Sequence, residues 1–464
     1  MTRIHRLLPL ALVLAACGGS PSSMQMPPSN AAAVTFHKDV EPLMQKHCMT
    51  CHSPGHIAPF NLTSYDEAKA NAPIIAAAVR DGRMPPWGAI STDACKPRFG
   101  WKEDARLSAA EIKTIDDWAG QGAKEGDLKD APPPWQAPAD GLPGVERELA
   151  PLKSYLSSGK NDQFRCFVMD PQLSQPAYLN GWHFVAGNPQ VVHHALMFVN
   201  PDGSAKKKMD ADGGYDCFGG PGVNAQLIAA WAPGAAPTAL PANVATTVAP
   251  GSVLVMQIHY HPAGRTNAPD LTKFQIRTLK SAPQYQLITS LIGNFATYDA
   301  RTGDGLQPDE NGKVAFRIPA GATDKEIKQY FTIPTMINGM PLPELRLYNI
   351  GTHMHYVGQD MRIEVERGAT VVNGDPKAEC LLETPKWDFH WQRGYAYETD
   401  IDSLPRLHGL DKLKMRCVYN NSMANSFLAE ALREQSLDAP RDVTLGESTL
   451  DEMCLGVFGT LIKM

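Results

Sequence analysis

The chain lacks a long N-terminal hydrophobic run and an excess of positive charge, and each absence excludes a class of protein. A membrane-spanning helix needs about 20 residues, and the apolar run Leu7–Ala16 is half that length. With 43 basic and 49 acidic residues the net charge is -6, which leaves no basic field on which nucleic acid condenses. A length of 464 residues, with 43% hydrophobic and 20% charged residues, is typical of a soluble chain with two or three packed units. We therefore expect a folded multidomain protein that does not bind nucleic acid.

The N-terminus has the order of an export signal. Arg3 and Arg6 precede the apolar run, and Cys17 follows it directly. Residues 14–17 resemble the lipobox of bacterial lipoproteins, in which the signal is cut before the Cys, which then carries lipid. The alternative is an ordinary secretory signal with an incidental Cys. Both alternatives predict export to a compartment where disulfides persist, and the first predicts a signal over 1–16, a lipid anchor on Cys17 and a flexible tether over 17–31, with the protein facing the periplasm or the cell exterior.

The sequence is rich in side chains that bind soft metals and haem. It contains 9 Cys, 14 His and 18 Met, a set that suits copper, zinc or haem iron. Residues 48–52 read Cys-x-x-Cys-His, the attachment motif of c-type haem, in which Cys48 and Cys51 add to the haem vinyl groups and His52 ligates the iron. The alternative is half of a zinc site, for which only Cys95 and His56 are near enough in sequence to complete the ligand set.

The surroundings of this motif predict a small helical domain. Residues 40–47 have helical apolar spacing, and Ser108 to Glu111 form a capping box that opens a closing helix. Met84 is the best candidate for the sixth iron ligand, since the two prolines that follow it favour a rigid extended loop, and His56 is the second choice. The layout resembles the small class I cytochromes c over residues 32–128, which implies an all-α electron-transfer domain.

The pattern of apolar and polar residues changes after a Pro-rich linker predicted over 129–144. Beyond it, short alternating runs lie between clusters of Gly, Pro, Asn and Asp. This pattern favours β-sandwich architecture, and the length accommodates two sandwiches, which we place at 145–285 and 286–464.

Most of the remaining histidines fall on three strand-like runs, residues 191–198, 254–261 and 351–358. Side chains at i and i+2 of a strand face the same side about 6.5 to 7 Å apart, so His353 and His355 can bind one metal ion, while Met354 between them points to the other side. His193 and His194 are adjacent, so they share a metal only at a strand end, bulge or twist. Imidazoles without a nearby Cys or carboxylate cluster fit copper or zinc.

The order of these motifs is similar to that of a known family. The succession His-His, Gln-x-His-Tyr, His-x-His and Asp-Glu-Met-Cys between residues 191 and 454 resembles the type II copper, ascorbate-dependent monooxygenases, the group of peptidylglycine α-hydroxylating monooxygenase and dopamine β-monooxygenase. The resemblance implies an electron-transfer copper bound by His193, His194 and His259. It implies an oxygen-binding copper held by His353, His355 and Met453. Gln257 matches a family Gln beside the first copper, and His261 has no counterpart.

The resemblance also implies two disulfides. Cys166–Cys217 matches one that brackets the His-His strand, and Cys417–Cys454 matches one that fixes the loop of the Met ligand. Cys95 and Cys380 remain, and sequence leaves open whether they bridge the haem and copper domains or are both free.

The chain departs from the peptide-amidating members at their substrate clamp. Gly351 and Val457 stand where those enzymes have an Arg and a Tyr that hold the substrate carboxylate. Without that Arg a carboxylate would be buried with no bidentate partner, which argues against peptidylglycine and favours a neutral or apolar substrate.

These observations lead to one main expectation of function. It is an exported copper monooxygenase that inserts one atom of O2 into a C–H bond of a small organic substrate. The fused haem serves as the built-in reductant, taking electrons from an external donor and passing them to the His193 site and then to the His353 site. The alternative is a copper-binding or electron-transfer lipoprotein that hydroxylates nothing, and a third reading puts zinc in the histidine sites.

Overall fold

The structure is a computed structural model. It describes residues 33–54, 58–137, 141–157, 163–231, 235–260, 269–368, 374–446, 448 and 450–464. The predicted signal, the lipid site Cys17, the tether, His56 and His261 lie outside the described residues.

The helices are concentrated at the N-terminal end. A π-helical turn covers Phe36–Val40, and 3-10 turns cover Leu128–Asp130, Ser204–Lys208, Phe389–Trp391 and Ile401–Ser403. The α-helices are α1 (Glu41–His47), α2 (Tyr65–Ala70), α3 (Ala72–Arg80), α4 (Ala109–Gly120) and α5 (Ser426–Glu434).

Helices α1 to α4 form a unit with a core of its own. Phe36, Met44 and Trp118 are fully buried in it, and the rings of Phe36 and Trp118 lie 5.9 Å apart. The predicted capping box at the start of α4 is confirmed, because the Ser108 hydroxyl accepts from the amide of Glu111 while the Glu111 carboxylate accepts from the amide of Ser108. These apolar contacts make residues 33–80 and 109–123 one helical unit.

Strands dominate the rest of the chain, which confirms mostly β architecture beyond residue 145. The first strands are β1 (Arg147–Leu149), β2 (Gln163–Met169), β3 (Ala177–Val185), β4 (Val192–Asn200), β5 (Gly214–Asp216), β6 (Gln226–Trp231), β7 (Thr238–Ala239), β8 (Val244–Val248), β9 (Val253–Tyr260) and β10 (Lys273–Leu279). The others are β11 (Tyr285–Gly293), β12 (Tyr298–Asp299), β13 (Asp304–Leu306), β14 (Arg317–Ile318), β15 (Lys325–Thr332), β16 (Met336–Ile337), β17 (Met340–Pro341), β18 (Leu345–His353), β19 (Gly358–Glu366), β20 (Ala378–Thr384), β21 (Gly394–Ala396), β22 (Arg406–Leu407), β23 (Lys412–Tyr419), β24 (Val443–Thr444) and β25 (Leu455–Lys463).

Three large sheets carry most of these strands. A five-stranded sheet has the order β5-β2-β9-β4-β6, and a six-stranded sheet has the order β12-β13-β15-β23-β19-β20. A ten-stranded sheet runs β1-β10-β3-β8-β11-β25-β18-β21, and in addition β7 pairs with β3 and β22 with β18. Their inner faces share one apolar core, which buries the large side chains that alternate along the strands.

The ten-stranded sheet continues across the predicted division near residue 285. Val244 pairs with Tyr285 and Ala245 with Gln286, where β8 and β11 run parallel. The two sandwich halves therefore share a sheet and a core, because the backbone groups at the edge of one half pair with those of the other.

Part of the range predicted as the haem domain belongs to this large core instead. Trp87 and Trp101 are buried against the sandwich, and the amide of Lys102 donates to the carbonyl of Ala396 at 2.8 Å. The disulfide Cys95–Cys380 fastens the same stretch, which resolves the open question of these two cysteines. Residues 87–103 therefore tie the helical unit to the C-terminal half.

Three disulfides are present among the described residues: Cys95–Cys380, Cys166–Cys217 and Cys417–Cys454. They indicate an oxidising compartment outside the cytoplasm. Among the described residues, no helix has the length and apolar character to cross a bilayer.

Candidate metal centres

Three histidines converge where two neighbouring strands of the five-stranded sheet meet. His194 on β4 pairs with His259 on β9, and the register shifts between Val192 and His194, so that His193 lies in a bulge. The bulge turns the adjacent His193 and His194 toward the same point, as sharing a metal requires. One ligand atom from each of the three imidazoles lies within 4.8 Å of the others.

The approach of these rings matches donors that face a common cation. The Nδ1 atoms of His193 and His194 are 3.2 Å apart, and the ring centroids of His194 and His259 are 4.8 Å apart. Burial, reinforced by the neighbouring histidines, lowers the pKa of His194 well below its usual value. His194 is therefore neutral at neutral pH and keeps a lone pair for a metal.

A buried carboxylate ties together the segments that carry this site. Asp270 accepts from the hydroxyl of Tyr260 at 2.8 Å and from the amide of Asn188 at 2.9 Å. Tyr260 follows the ligand His259, and Asn188 opens the turn before β4. Asp270 therefore fixes the end of β9 relative to the start of β4.

Gln257, expected beside this site, is buried on β9 two residues before His259. Its side-chain amide donates to the carbonyl of Cys217 at 2.7 Å. Cys217 is bonded to Cys166 on β2. The role of Gln257 in this structure is to hold the disulfide loop against the sheet.

The second histidine pair lies at the end of β18. The ring centroids of His353 and His355 are 5.3 Å apart. Nδ1 of His353 is 2.7 Å from Oε1 of Gln392, and Nδ1 of His355 is 3.0 Å from the carbonyl of Asp451. With both Nδ1 atoms held, Nε2 is the nitrogen that each ring has left for a metal. Met354 between them is fully buried in the core.

Burial dominates the protonation of this pair. It lowers the pKa of His353, and together with the charge of His353 it lowers the pKa of His355 to about 3. Both imidazoles are therefore neutral at neutral pH.

The segment that carries Met453 lies directly beside His355. His353 pairs with Leu455 on β25, so the residues before Leu455 extend along those after His353. The Tyr419 hydroxyl donates to the carbonyl of Met453 at 2.8 Å. The disulfide Cys417–Cys454 fixes the same segment to β23.

One ten-residue stretch, 386–395, contacts both histidine sites, and we call it the bridging segment. The ring of Phe389 stacks on His193 at 5.2 Å and meets His355 edge-on at 6.1 Å. The rings of His193 and His355 are therefore no more than about 11 Å apart. The indole nitrogen of Trp387 also donates to the carbonyl of His355 at 3.1 Å.

The helical unit docks on the same segment. The Lys386 ammonium donates to the carbonyl of Asp81 at 2.9 Å. Trp87 and Tyr395 meet edge to face at 5.1 Å, with the Arg393 guanidinium 4.7 Å above Trp87. The loop after α3 therefore lies next to the residues that surround the histidine sites.

The haem motif sits inside the helical unit. Cys48 and Cys51 are both free, although the other described cysteines are paired. Burial, with the Cys51 charge adding to it, raises the pKa of Cys48 to about 12, and burial also raises that of Cys51. Nδ1 of His52 is 3.0 Å from the carbonyl of Phe60, which leaves Nε2 for an iron ion. Burial lowers the pKa of His52.

Met84, the predicted sixth ligand, lies in the loop after α3, which contacts the bridging segment. Its amide donates to the carbonyl of Ala78 at 3.2 Å, and 38% of its surface is exposed. It stands three residues before Trp87, which the sandwich buries.

The structure leaves little free space around Gly351. A Cβ atom added there would lie 3.3 Å from the carbonyl oxygen of Arg393 and 3.6 Å from Cβ of Val457. Gly351 pairs with Gly394 across the strands. The first distance is a tight contact, so a side chain at this position requires a small shift of the neighbouring backbone.

Sequence reasoning missed Phe389, Trp387, Gln392 and Asp270. The first three lie in the aromatic-rich stretch 387–392, a signal that was available in the sequence. Asp270 has no such signal, since nothing in the sequence indicates which carboxylate a buried tyrosine will meet.

No protein-family model matches the chain, and no curated protein matches it. Among solved structures, the major capsid protein P2 of bacteriophage PM2 is 10% identical with a TM-score of 0.24, over 68% of this chain and 97% of that one. VP2 of infectious bursal disease virus is 8% identical with a TM-score of 0.18, over 71% and 74%. The tandem CBM22 domain of Paenibacillus barcinonensis Xyn10C is 10% identical with a TM-score of 0.13, over 68% and 100%. These TM-scores are too low to show a shared fold.

Proposed function

We propose that this protein is an exported copper monooxygenase that inserts one atom of O2 into a C–H bond of a small neutral organic molecule. A c-type haem in the helical unit serves as its internal electron source, and lipid on Cys17 tethers it to a membrane. The observation that carries the proposal is the convergence of two histidine sets on Phe389. The type II copper, ascorbate-dependent monooxygenases, which the motif order resembles, use two such sets.

The donor sets fit copper. His193, His194 and His259 offer three imidazoles, which serve both oxidation states. The second set offers His353 and His355 through Nε2, together with the segment of Met453, whose thioether favours the reduced ion. Copper at these sites, with haem on residues 48–52, would supply one-electron transfer and the activation of dioxygen.

The chain's own residues keep histidines of both sets neutral and fix the orientation of the rings in the second set. Burial keeps His194 and His355 neutral, so no proton must leave before a metal binds. Gln392 and the carbonyl of Asp451 fix the rotation of the His353 and His355 rings. Phe389 is buried and places its apolar ring against both His193 and His355.

The helical unit fits a covalently attached haem. Two free cysteines three positions apart precede a histidine whose Nδ1 is held by a backbone carbonyl. That hydrogen bond fixes the orientation of the His52 imidazole and raises its basicity. His52 and Met84 are the residues that would hold the haem iron, and Cys48 and Cys51 would attach the haem covalently. A zinc half-site is less suited, because Cys95 is already paired with Cys380.

The neutral substrate follows from the missing clamp. Gly351 is packed against β21, and among the described residues no arginine stands in its place. Aromatic rings from Phe389, Trp387 and Tyr356 line the neighbourhood of His353 and His355. Such a lining favours apolar ligands over a carboxylate.

Oxygen uptake tests the proposal. The haem- and copper-loaded protein is kept reduced and screened against small neutral molecules, beside Met453→Ala and a control, Met423→Ala, whose side chain is exposed. We expect substrate-dependent oxygen consumption in the native and control proteins and none in Met453→Ala. Equal oxygen consumption in all three proteins, with no substrate effect, would contradict hydroxylation and leave the electron-transfer lipoprotein as the function. A paramagnetic Cu(II) signal in the isolated protein excludes zinc in the histidine sites.

A further inference from the structure

A carboxylate with no cationic partner is buried beside Met453. Glu452 is fully inaccessible to solvent. Among the described residues, no lysine, arginine or histidine forms an ion pair with it. Burying a carboxyl group without a cationic partner is unfavourable unless hydrogen bonds compensate, so its position requires a physical reason.

Backbone amides supply that compensation at one carboxyl oxygen, Oε1, while Oε2 has no hydrogen-bond partner among the described residues. Oε1 of Glu452 accepts from the amide of Met453 at 2.8 Å and from the amide of His355. The amides of Val357 and Gly358 also act on this carboxyl group. One side chain therefore joins the turn after β18 to the residues that open β25.

Apart from the carbonyl of Asp451, which meets the His355 ring, and the pairing of Leu455 with His353, three contacts of the Met453 segment run elsewhere. The disulfide Cys417–Cys454 and the hydroxyl of Tyr419 both hold it to β23. Cys454 also donates through its amide to Asn294 at 2.9 Å. None of these contacts reaches His355, so they do not set the distance between the two ligands.

We propose that Glu452 is a positioning residue that clamps the Met453 segment onto the His355 turn, so that thioether and imidazole meet on one copper ion. The inference rests on the proposed function, because it assumes that both residues bind copper. The carbonyl of Asp451 contributes by holding the His355 ring, while Glu452 holds the backbone on both sides.

Three substitutions separate this role from general stability. Glu452→Gln keeps an acceptor oxygen of the same reach, Glu452→Leu removes it, and Glu452→Asp shortens the side chain by one methylene. The matched control is Asp411→Leu. Asp411 is 1% exposed and likewise accepts from two backbone amides, those of Gly368 at 2.8 Å and His408 at 2.9 Å, at neither histidine site.

The measurement is X-ray absorption of the Cu(I)-loaded protein, with Cu(I) affinity determined by competition. We expect a sulfur shell around copper in the native, Glu452→Gln and Asp411→Leu proteins. In Glu452→Leu and Glu452→Asp we expect the sulfur shell to be lost and the affinity of this site to fall about 10- to 100-fold, while the three-histidine site keeps its copper.

The outcomes are distinguishable. A sulfur shell and native affinity in Glu452→Leu overturn the inference, and if that variant does not fold, the same result in Glu452→Asp overturns it. Loss of the shell in Asp411→Leu also overturns it, since general destabilisation then explains the effect. A native protein without a sulfur shell contradicts the ligand assignment of the proposed function itself.

Discussion

At the scale of single residues, burial decides the chemistry of the candidate sites. It keeps His194, His353 and His355 neutral, and it keeps the Glu452 carboxyl from ionising readily, raising its pKa to about 8. These shifts link folding to pH in opposite directions, because histidine is charged below its pKa and a carboxylate above it.

The copper-free protein should lose stability on acidification. In the unfolded chain the histidines bind protons with a pKa of 6.5. In the folded protein the pKa of His355 is lowered to about 3, so this ring stays neutral over the range in which the unfolded chain takes up a proton. Each such group makes stability fall by up to about 1.4 kcal/mol per pH unit below 6.5. The pKa of Glu452 is raised from its usual 4.5 to about 8, so this group lowers the stability as the pH rises through that range. Below pH 6.5 its effect opposes that of the three histidines. Above pH 6.5 it lowers the stability further.

Urea denaturation of the copper-free protein between pH 5 and 8 checks this expectation. The unfolding free energy should peak near pH 6.5, and His355→Gln should flatten the acidic side. A stability that rises steadily from pH 6.5 to pH 5 would contradict the burial of neutral histidines.

Asp270 should support the three-histidine site alone. In Asp270→Asn the charge-assisted bonds to Tyr260 and Asn188 are weakened, at a cost of about 1.5 to 3 kcal/mol in unfolding free energy. Copper affinity at His193, His194 and His259 should fall about tenfold. Asp411→Asn, measured by the same denaturation and competition assays, should lose stability without changing that affinity.

At the scale of elements, the bulge in β4 and the bridging segment create the site. The bulge brings two adjacent histidines to one side of the sheet, and the bridging segment carries one aromatic ring between both histidine sets. The bulge carries two of the three histidines of the first set, whereas the bridging segment contributes contacts to both sets.

Phe389→Ala should disturb both sites together. Removing the buried ring costs about 3 to 5 kcal/mol and frees the rings of His193 and His355 to reorient. We expect the paramagnetic resonance spectra of both Cu(II) ions to change. Phe331→Ala is the control, since Phe331 stacks on Phe295 at neither histidine site and should lose stability with unchanged spectra.

At the scale of the whole molecule, a disulfide and an ion pair hold the stretch that follows the helical unit against the sandwich, so the unit is attached by more than a flexible linker. The disulfide Cys95–Cys380 joins residues 285 positions apart, and Arg98 pairs with the buried Asp375 at 2.8 Å beside it. Such a fastening keeps the loop of Met84 against the bridging segment.

Breaking this disulfide should loosen the attachment without unfolding the helical unit. In the double variant Cys95→Ser and Cys380→Ser we expect a loss of about 2 to 5 kcal/mol and faster proteolysis within residues 87–103. The haem absorption band should persist, because the helical core is separate. The variant Cys166→Ser and Cys217→Ser should not expose this stretch, and equal proteolysis of 87–103 in both variants would contradict the assigned role.

The sequence by itself determined what depends on local pattern. Residue spacing predicts the capping box at Ser108 and the strands beyond residue 145. The pairing partners of Cys166 and Cys417 follow from the family resemblance. The positions of the histidines on strand-like runs also follow from alternation, because a strand places neighbours on opposite faces.

Only the tertiary structure decided what depends on distant residues meeting. It paired Cys95 with Cys380, joined the two sandwich halves through β8 and β11, and placed Phe389 between histidines from different sheets. It also placed residues 87–103 with the sandwich and not with the helical unit, since Trp87 and Trp101 are buried in the large core. These contacts join residues far apart in the chain, and local sequence carries no record of which buried surfaces will meet.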